Sequence, residues 1–438
     1  MQLCNTVYHI SRGIGKTKFQ PQRCHRMKKQ KPATFAVVTN EFGGAIMGNT
    51  KQCTFLKEGE PMEELKQSQN NYNVTRESGM TVISADKPMG VNAAHYDETA
   101  NRMILAVSYY YSFLAHTDYI ILDDGLNIAQ VFTEDEGVNP HFFAAPDNSI
   151  WAEMSSTKTD SYKTIVLPIG NRERIEKEIF LADYGFEHRI RCGGQTYFFR
   201  NDIFKRKKPD EMFHMVFGKD GLFKSRKSFK LPDPKFNIPV ASGNTIHLAA
   251  KIMPQREVNH REIGLDGGVK AQRQFSLGVE FDAGVAPVSL SFDDVSTFFT
   301  TAKNRMHHVA VNKDAEITAM ESFEVKAFDG RFFSIFKPCV FGPADYVVRY
   351  TYGGDTGPGA GAGFAVIKGG EIRECWVQDK DSSVYSDEIG GAAFDIGVPE
   401  LILRDTLKMP NGACALIFSS ARPRETQTNQ VKILLKTI

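Results

Sequence analysis

Short runs of alternating apolar and polar residues, separated by tight-turn residues, recur along the chain. Residues 140–182 show the pattern most clearly, with four such runs joined by three turns. Alternation with a period of two residues is typical of half-buried β-strands, and the first turn, Pro146-Asp147-Asn148, has the composition of a tight β-turn. We therefore predict an antiparallel meander of four short strands in this stretch.

The turn before the second strand recurs at a nearly constant spacing. The residues just before the second strand of each unit are Asn101, Asn148, Gly194, Asn244, Asp294, Ala344 and Gly391. The intervals between them are 47, 46, 50, 50, 50 and 47 residues. A second turn follows within each of the first six units, at Asp124-Gly125, Gly170-Asn171, Asp220-Gly221, Asp266-Gly267, Lys313-Asp314 and Gly369-Gly370. Asp-Gly and Gly-Asn suit a two-residue hairpin, whose central residues take positive φ.

This alternation of two turn classes over seven units resembles the β-propeller superfamily, over about 350 residues. The resemblance implies an all-β fold, a propeller of seven four-stranded antiparallel blades, with six or eight blades as alternatives. The W-D and kelch signatures and the sialidase S-x-D-x-G-x-T-W box are absent from the sequence. Met80–Ala85 is predicted to complete the last blade and to close the ring, which removes two unpaired strand edges.

We predict three segments along the chain. Residues 1–32 form a basic extended N-terminal arm, residues 33–90 an elaborated first blade or cap that carries the ring-closing strand, and residues 91–438 the propeller. An organelle transit peptide is an alternative for residues 1–32.

Charge separates the arm from the rest of the chain. Residues 1–40 contain no Asp or Glu, and the remainder carries 45 basic against 52 acidic residues. Like charges at this density repel one another, and the segment has too little apolar surface to fold alone. Partner subunits, and nucleic acid as a second option, are the predicted contacts of the eight cations Arg12, Lys16, Lys18, Arg23, Arg26, Lys28, Lys29 and Lys31.

The cysteines indicate a reducing compartment. There are seven, an odd number, with no C-x-x-C spacing, which argues against a disulfide framework or a zinc site. No apolar run approaches the length of a membrane span, and no signal peptide is recognised. We expect a cytoplasmic assembly, with a virion as a specific possibility, and no secretion by a signal peptide.

No catalytic residues, metal ligands or cofactor are predicted. The acidic-Gly links, such as Asp183-Tyr184-Gly185 and Asp282-Ala283-Gly284, suit turns better than a ring of catalytic carboxylates. His307 and His308 are adjacent on a strand and point to opposite faces, so they do not chelate one ion. Cys192 is interpreted as a small buried residue.

Two loops on the face with the longer connections are predicted to bind a partner. The first loop contains four aromatic residues, which are more than one packed face can accommodate. The second loop contains four cations. The predicted contact residues are Tyr109, Tyr110, Tyr111, Phe113, Lys205, Arg206, Lys207 and Lys208.

These features favour a non-enzymatic propeller that serves as a structural or binding module in a large assembly, with a phage tail nozzle or hub as the specific hypothesis. A glycan-active propeller (a sialidase-like hydrolase or a lectin) and an intracellular scaffold subunit are the alternatives. Fold alone does not choose among them.

Overall fold

The protein was analysed as a computed structural model. All residues that the structure describes belong to the second of two compact units, Leu56–Ile438. The described residues are 68–111, 114–134, 137–144, 148, 150–156, 164–169, 177–179, 188–193, 195–201, 211–217, 223–230, 239–252, 257–280, 288–292, 295–302, 304–325, 333–336, 338–352, 361–378, 382–420 and 428–438. The predicted arm and most of the segment 33–90 lie outside them, so their boundaries stay predictions.

Five sheets, numbered in chain order, each contain four consecutive antiparallel strands. Sheet 1 contains β3 (Met89–Asp97), β4 (Arg102–Tyr111), β5 (Leu114–Leu122) and β6 (Ile128–Glu134). Sheet 2 contains β7 (Gly137–Ala144), β8 (Ile150–Ser156), β9 (Thr164–Pro168) and β10 (Lys177–Ile179). Sheet 3 contains β11 (His188–Cys192), β12 (Gln195–Asn201), β13 (Glu211–Phe217) and β14 (Phe223–Lys230). Sheet 4 contains β15 (Val240–Ser242), β16 (Thr245–Ile252), β17 (Glu257–Gly264) and β18 (Val269–Ser276). Sheet 5 contains β19 (Val288–Phe292), β20 (Val295–Ala302), β21 (Arg305–Asn312) and β22 (Ile317–Glu324).

The last two sheets depart from the predicted four strands. Sheet 6 has seven, because its first strand is divided in two and a hairpin extends its outer edge. Its strands are β23 (Phe333–Ile335), β24 (Cys339–Gly342), β25 (Asp345–Tyr352), β26 (Gly361–Lys368), β27 (Glu371–Gln378), β28 (Val384–Asp387) and β29 (Ala393–Asp395). Sheet 7 combines both ends of the described chain in five strands: β30 (Leu401–Lys408), β31 (Ala413–Ser420), β32 (Gln430–Thr437), β2 (Met80–Ala85) and β1 (Tyr72–Glu77).

The turns explain why the strands begin where they do. Asn101 and Asn148 have φ of 50° and 69°, values that Asn tolerates better than most residues. Gly243 and Gly267 also have positive φ. The seventh predicted turn is wrong: Gly391 lies between β28 and β29, in the extension of sheet 6. The turn before the second strand of sheet 7 ends instead at Gly412, with φ of 78°.

Apolar side chains fill the space between consecutive sheets. Clusters of buried residues join sheet 1 to sheet 2, sheet 3 to sheet 4, sheet 4 to sheet 5, and sheet 5 to sheet 6. Strands β7 and β11 link sheets 2 and 3. Sheet 7 packs on sheet 6, through Phe364, Leu403 and Leu416, and also on sheet 1, through Met89, Leu105 and Ile433. Each fully buried aliphatic side chain contributes about 1.5–3 kcal/mol to stability.

In the part of the chain that the structure describes, no helix is long and apolar enough to cross a membrane.

Candidate functional site

Two buried clusters of polar side chains stand out among the described residues. We call the first the Asp118 cluster. It consists of Asp118 on β5 with three hydroxyl groups that donate to its carboxylate, those of Ser68, Tyr72 and Thr133. The Tyr72 oxygen lies 2.6 Å from Oδ2, and the Thr133 Oγ1 lies 2.5 Å from Oδ1. Because Tyr72 is in β1 and Asp118 in β5, this carboxylate ties sheet 7 to sheet 1.

The electrostatics of the Asp118 cluster favour a structural role. Burial raises the pKa of the Asp118 carboxyl, and the hydroxyl donors partly offset that shift because they stabilise the charged form. Burial and the nearby Asp118 charge raise the pKa of the Tyr72 hydroxyl. An ionised carboxylate offers about four acceptor positions, and the protein itself supplies donors to three of them. The cluster therefore holds two sheets together and leaves little capacity for a ligand.

Tyr109 belongs to the wall of this cluster, which corrects one predicted contact residue. Its side chain is 0% exposed, and its ring stacks on His116 with centroids 5.4 Å apart. Burial, with the Asp118 charge, raises the pKa of its hydroxyl to about 12. The ring packs between sheets 1 and 7, so Tyr109 offers no exposed area to a partner. Of the four crowded aromatic residues, the first, Tyr109, lies in the core.

We call the second site the histidine cluster. It consists of His247 on β16 with His260 and Glu262 on β17. The strand register pairs His247 directly with Glu262, and His260 lies two residues before Glu262, so all three side chains share one face of the sheet. His247 Nδ1 and His260 Nε2 are 3.2 Å apart. The ligand atoms of the three residues all lie within 4.8 Å of one another.

The histidine cluster faces sheet 5 and is closed on most sides. The His260 ring stacks on His247 and meets Phe298 of β20 edge-on. His260 is 1% exposed, whereas the Glu262 side chain is 26% exposed, so solvent reaches the cluster from the carboxylate side.

A positively charged side chain, that of Arg273, lies beside the histidine cluster. Its guanidinium donates to Glu262 Oε1 and to the backbone oxygens of Asn312, at 3.3 Å, and Lys313. Burial, with the neighbouring His247 and Arg273, lowers the pKa of His260 to about 3. Burial also lowers the pKa of His247. Both imidazoles are therefore neutral near pH 7 and keep a lone pair, which is the form that binds metal ions.

Sequence reasoning missed the histidine cluster because His247, His260 and Glu262 do not follow a recognisable metal-ligand spacing. The signal that was present is the pair of turns at Asn244 and Asp266-Gly267, which the structure contains as predicted. Those turns join β15 to β16 and β17 to β18, so they indicate that β16 and β17 belong to one antiparallel meander. They do not determine which residue of β16 faces which residue of β17.

The other residues singled out from the sequence are distributed as follows. Cys192 is buried, as predicted, with its thiol near the backbone oxygens of Gly243 and Thr245. His307 contacts the Ser322 hydroxyl, whereas His308 contacts the Gly370 oxygen and the Phe299 ring, in keeping with opposite faces.

The remaining predicted contact residues are not tested. Tyr110 and Tyr111 end β4, but their side chains lie outside the described part of the structure. The other untested contacts, all outside the described residues, are Phe113, Lys205, Arg206, Lys207, Lys208 and the arm cations Arg12, Lys16, Lys18, Arg23, Arg26, Lys28, Lys29 and Lys31. The acidic-Gly links at 183–185 and 282–284 also lie outside them.

No protein-family model matches the chain, and no curated protein matches it in sequence. Several solved structures resemble it. The CNH domain of AfRom2 is 7% identical, with a TM-score of 0.46, covering 84% of this chain and 99% of that one. The β-propeller domain of the Trilobed protease from Pyrococcus furiosus, described as having an open velcro topology, is 9% identical, with a TM-score of 0.41 and coverage of 73% and 89%. An oligogalacturonate lyase from Vibrio parahaemolyticus is 8% identical, with a TM-score of 0.39 and coverage of 86% and 98%.

At TM-scores below 0.5 these likenesses carry no argument about family or activity, so the class rests on the sheets themselves. Consecutive antiparallel meanders that contact one another in chain order are the architecture of a β-propeller. The chain is therefore a protein of the β-propeller class.

Proposed function

We propose that the seven sheets are the seven blades of one closed ring. The support is the register of sheet 7, in which Met80 pairs with Leu434 and Ser84 with Gln430. This pairing joins a strand near the start of the described chain to its last strand. The backbone groups of Ala85 and Met89 extend it by donating to Asn429 and Thr428. A ring closed in this way has no unpaired edge between its first and last blades.

The function that this architecture supports best is that of a non-enzymatic binding and structural module in a large protein assembly. The observation that carries it is the joining of both ends of the described chain in one blade. Because the joined ends stabilise the ring, its loops are free to serve contacts with other subunits. The specific form that we propose is a component of a phage tail, at the nozzle or hub.

The thiols support assembly in a reducing cytoplasm. The four cysteines in the described residues, Cys192, Cys339, Cys375 and Cys414, are all free. Disulfides form mainly in oxidising compartments. We therefore propose a cytoplasmic site of assembly.

The arm provides the first test. Deletion of residues 1–31 removes eight cations and no carboxylate. We expect the variant to fold with an unchanged thermal transition but to lose stable incorporation into its assembly, measured by size-exclusion chromatography with light scattering. If nucleic acid is the partner, affinity falls steeply with salt and the deletion flattens that slope. A truncated protein that assembles normally contradicts the role of the arm.

The aromatic loop provides the second test. Truncation of Tyr110 and Tyr111 to Ala is expected to weaken binding or incorporation by about 1–3 kcal/mol, the usual effect of central aromatic contacts. The thermal transition should stay nearly constant. Unfolding of this variant contradicts a contact role.

The glycan-active alternative has its own test. If the protein hydrolyses a glycoside, and Asp183→Asn or Asp282→Asn abolishes that turnover, the glycan-active function is supported and the assembly function is contradicted.

A further inference from the structure

We propose that the histidine cluster is a binding site for a divalent transition-metal ion of the zinc type, with His247, His260 and Glu262 as its protein ligands. This inference is independent of the assembly function proposed above, since it rests on the geometry of sheet 4 and of the sheet 5 turn beside it. It assigns a ligand to a part of the molecule from which sequence reasoning expected none.

The distance between the two imidazole nitrogens fits a shared ion. Zinc binds imidazole nitrogen at about 2.0–2.1 Å, and at a tetrahedral angle two such nitrogens lie about 3.3–3.4 Å apart. His247 Nδ1 and His260 Nε2 are 3.2 Å apart. The stacked arrangement of the rings, with 10° between their planes, holds this spacing because both residues are clamped in paired strands. An ion therefore needs little rearrangement of the two histidines.

The third ligand has a defined partner of its own. Glu262 Oε1 accepts from the Arg273 guanidinium, which leaves Oε2 to turn toward the two imidazoles. Carboxylates that bind metals are commonly held by an outer hydrogen bond of this kind. The guanidinium is in turn fixed by the backbone oxygens of Asn312 and Lys313. The outer shell thus comes from the β21–β22 turn of the neighbouring sheet.

The donor set selects the class of ion. Two imidazole nitrogens and one carboxylate suit zinc and its transition-metal neighbours, whereas calcium and magnesium require mostly oxygen ligands. Three protein ligands leave one coordination position for water or for a group from a bound molecule.

Opposing charge sets the expected strength of binding. Arg273 and Lys270 lie near the cluster, and each repels a cation. Because Arg273 is neutralised by Glu262 and directed at backbone oxygens, we expect moderate affinity rather than the very tight binding of a structural zinc finger. The partly exposed Glu262 provides the path of entry.

The test uses the full-length protein, freed of metal with a chelator and titrated with zinc chloride by isothermal calorimetry. We expect saturable binding of one ion per chain and a rise in the thermal transition. Cobalt chloride should give the visible absorption of a tetrahedral nitrogen–oxygen site without a thiolate band, which excludes the free cysteines as ligands. His260→Gln and Glu262→Gln should each weaken binding more than tenfold.

His307→Gln is the matched control, because His307 is equally buried on the third strand of the adjacent sheet and should bind zinc as the wild type does. Circular dichroism in chelator checks that the variants fold. If His260→Gln unfolds, the partly exposed Glu262→Gln decides the matter. The proposal is overturned if the wild type does not bind zinc stoichiometrically. It is also overturned if Glu262→Gln and a folded His260→Gln both bind zinc as the wild type does, or if cobalt gives a thiolate band.

Discussion

The Asp118 cluster and the histidine cluster are both buried between neighbouring sheets, yet they differ in their balance of donors and acceptors. Around Asp118, three hydroxyl groups from the protein donate to one carboxylate. In the histidine cluster, two neutral imidazoles and a carboxylate converge, and Arg273 is the donor shown at the carboxylate. The first cluster satisfies its charge internally. In the second, the two imidazoles share a hydrogen bond whose direction depends on the tautomer, and their nitrogens lie close to the Glu262 carboxylate.

This difference teaches how to separate a structural polar cluster from a candidate site. Burial and shifted pKa values occur in both, so neither feature distinguishes them. What distinguishes them is their geometry: three hydroxyl donors surround one carboxylate in the first, whereas two imidazole nitrogens and a carboxylate lie within 4.8 Å of one another in the second. The following predictions test that contrast, from the largest expected effect to the smallest.

Tyr109→Ala should produce the largest loss of stability. It removes a fully buried ring that stacks on His116 beside the Asp118 cluster, and truncation of a buried aromatic ring to Ala costs about 3–5 kcal/mol. Urea unfolding followed by fluorescence measures the change. Tyr109→Phe, which keeps the ring, is the control and should cost far less. A stable Tyr109→Ala variant that loses only partner binding would restore Tyr109 to the predicted contact surface.

Asp118→Ala should destabilise the protein by about 2–3 kcal/mol, because it removes hydrogen bonds to a charged group and leaves three hydroxyls without their acceptor. Glu262→Ala, measured in chelator, should cost at most about 1 kcal/mol, since Glu262 is partly exposed and Arg273 keeps its backbone acceptors. Chemical denaturation of both variants gives the two values. Equal losses would remove the contrast between the clusters.

The pH dependence of stability should show the burial of Asp118. Its pKa is raised above the ordinary value of 3.8, so between these two pKa values the folded protein binds more protons than the unfolded chain. Stability therefore falls as pH rises from about 3.8 through the raised pKa, by up to about 1.36 kcal/mol per unit of pKa difference. The stability of the wild type relative to Asp118→Asn should decline across this window. Asp124→Asn, in the exposed β5–β6 turn, is the control and should follow the wild-type profile; an identical profile for Asp118→Asn contradicts the account.

The strand pattern was readable from the sequence because tight turns have local requirements. Asn101 and Asn148 occupy positive-φ positions that Asn and Gly tolerate best, and alternation of side chains identified the strands between turns. The prediction of the seventh turn at Gly391 was wrong for the same reason, because it used local sequence alone. Gly391 has positive φ and precedes a short strand, so its local sequence does not distinguish an added edge hairpin from a new unit.

Side-chain contacts between strands could not be predicted from the sequence. The pairing of His247 with Glu262 depends on the register across the link between β16 and β17, which is not a two-residue turn. A shift of one residue would point the two side chains to opposite faces. Tyr109 shows the same limit, since crowding of aromatic residues does not tell which ring packs inward.

Electron cryo-microscopy of the full-length protein, purified with its partners, tests the central claim most directly. We predict particles that contain several subunits, each with seven blades around one axis and with β2 and β32 side by side in the seventh blade. Six or eight blades would contradict the seven-bladed ring, and an open array in which β2 does not meet β32 would contradict its closure. Well-resolved single chains without any partner would contradict its role in an assembly.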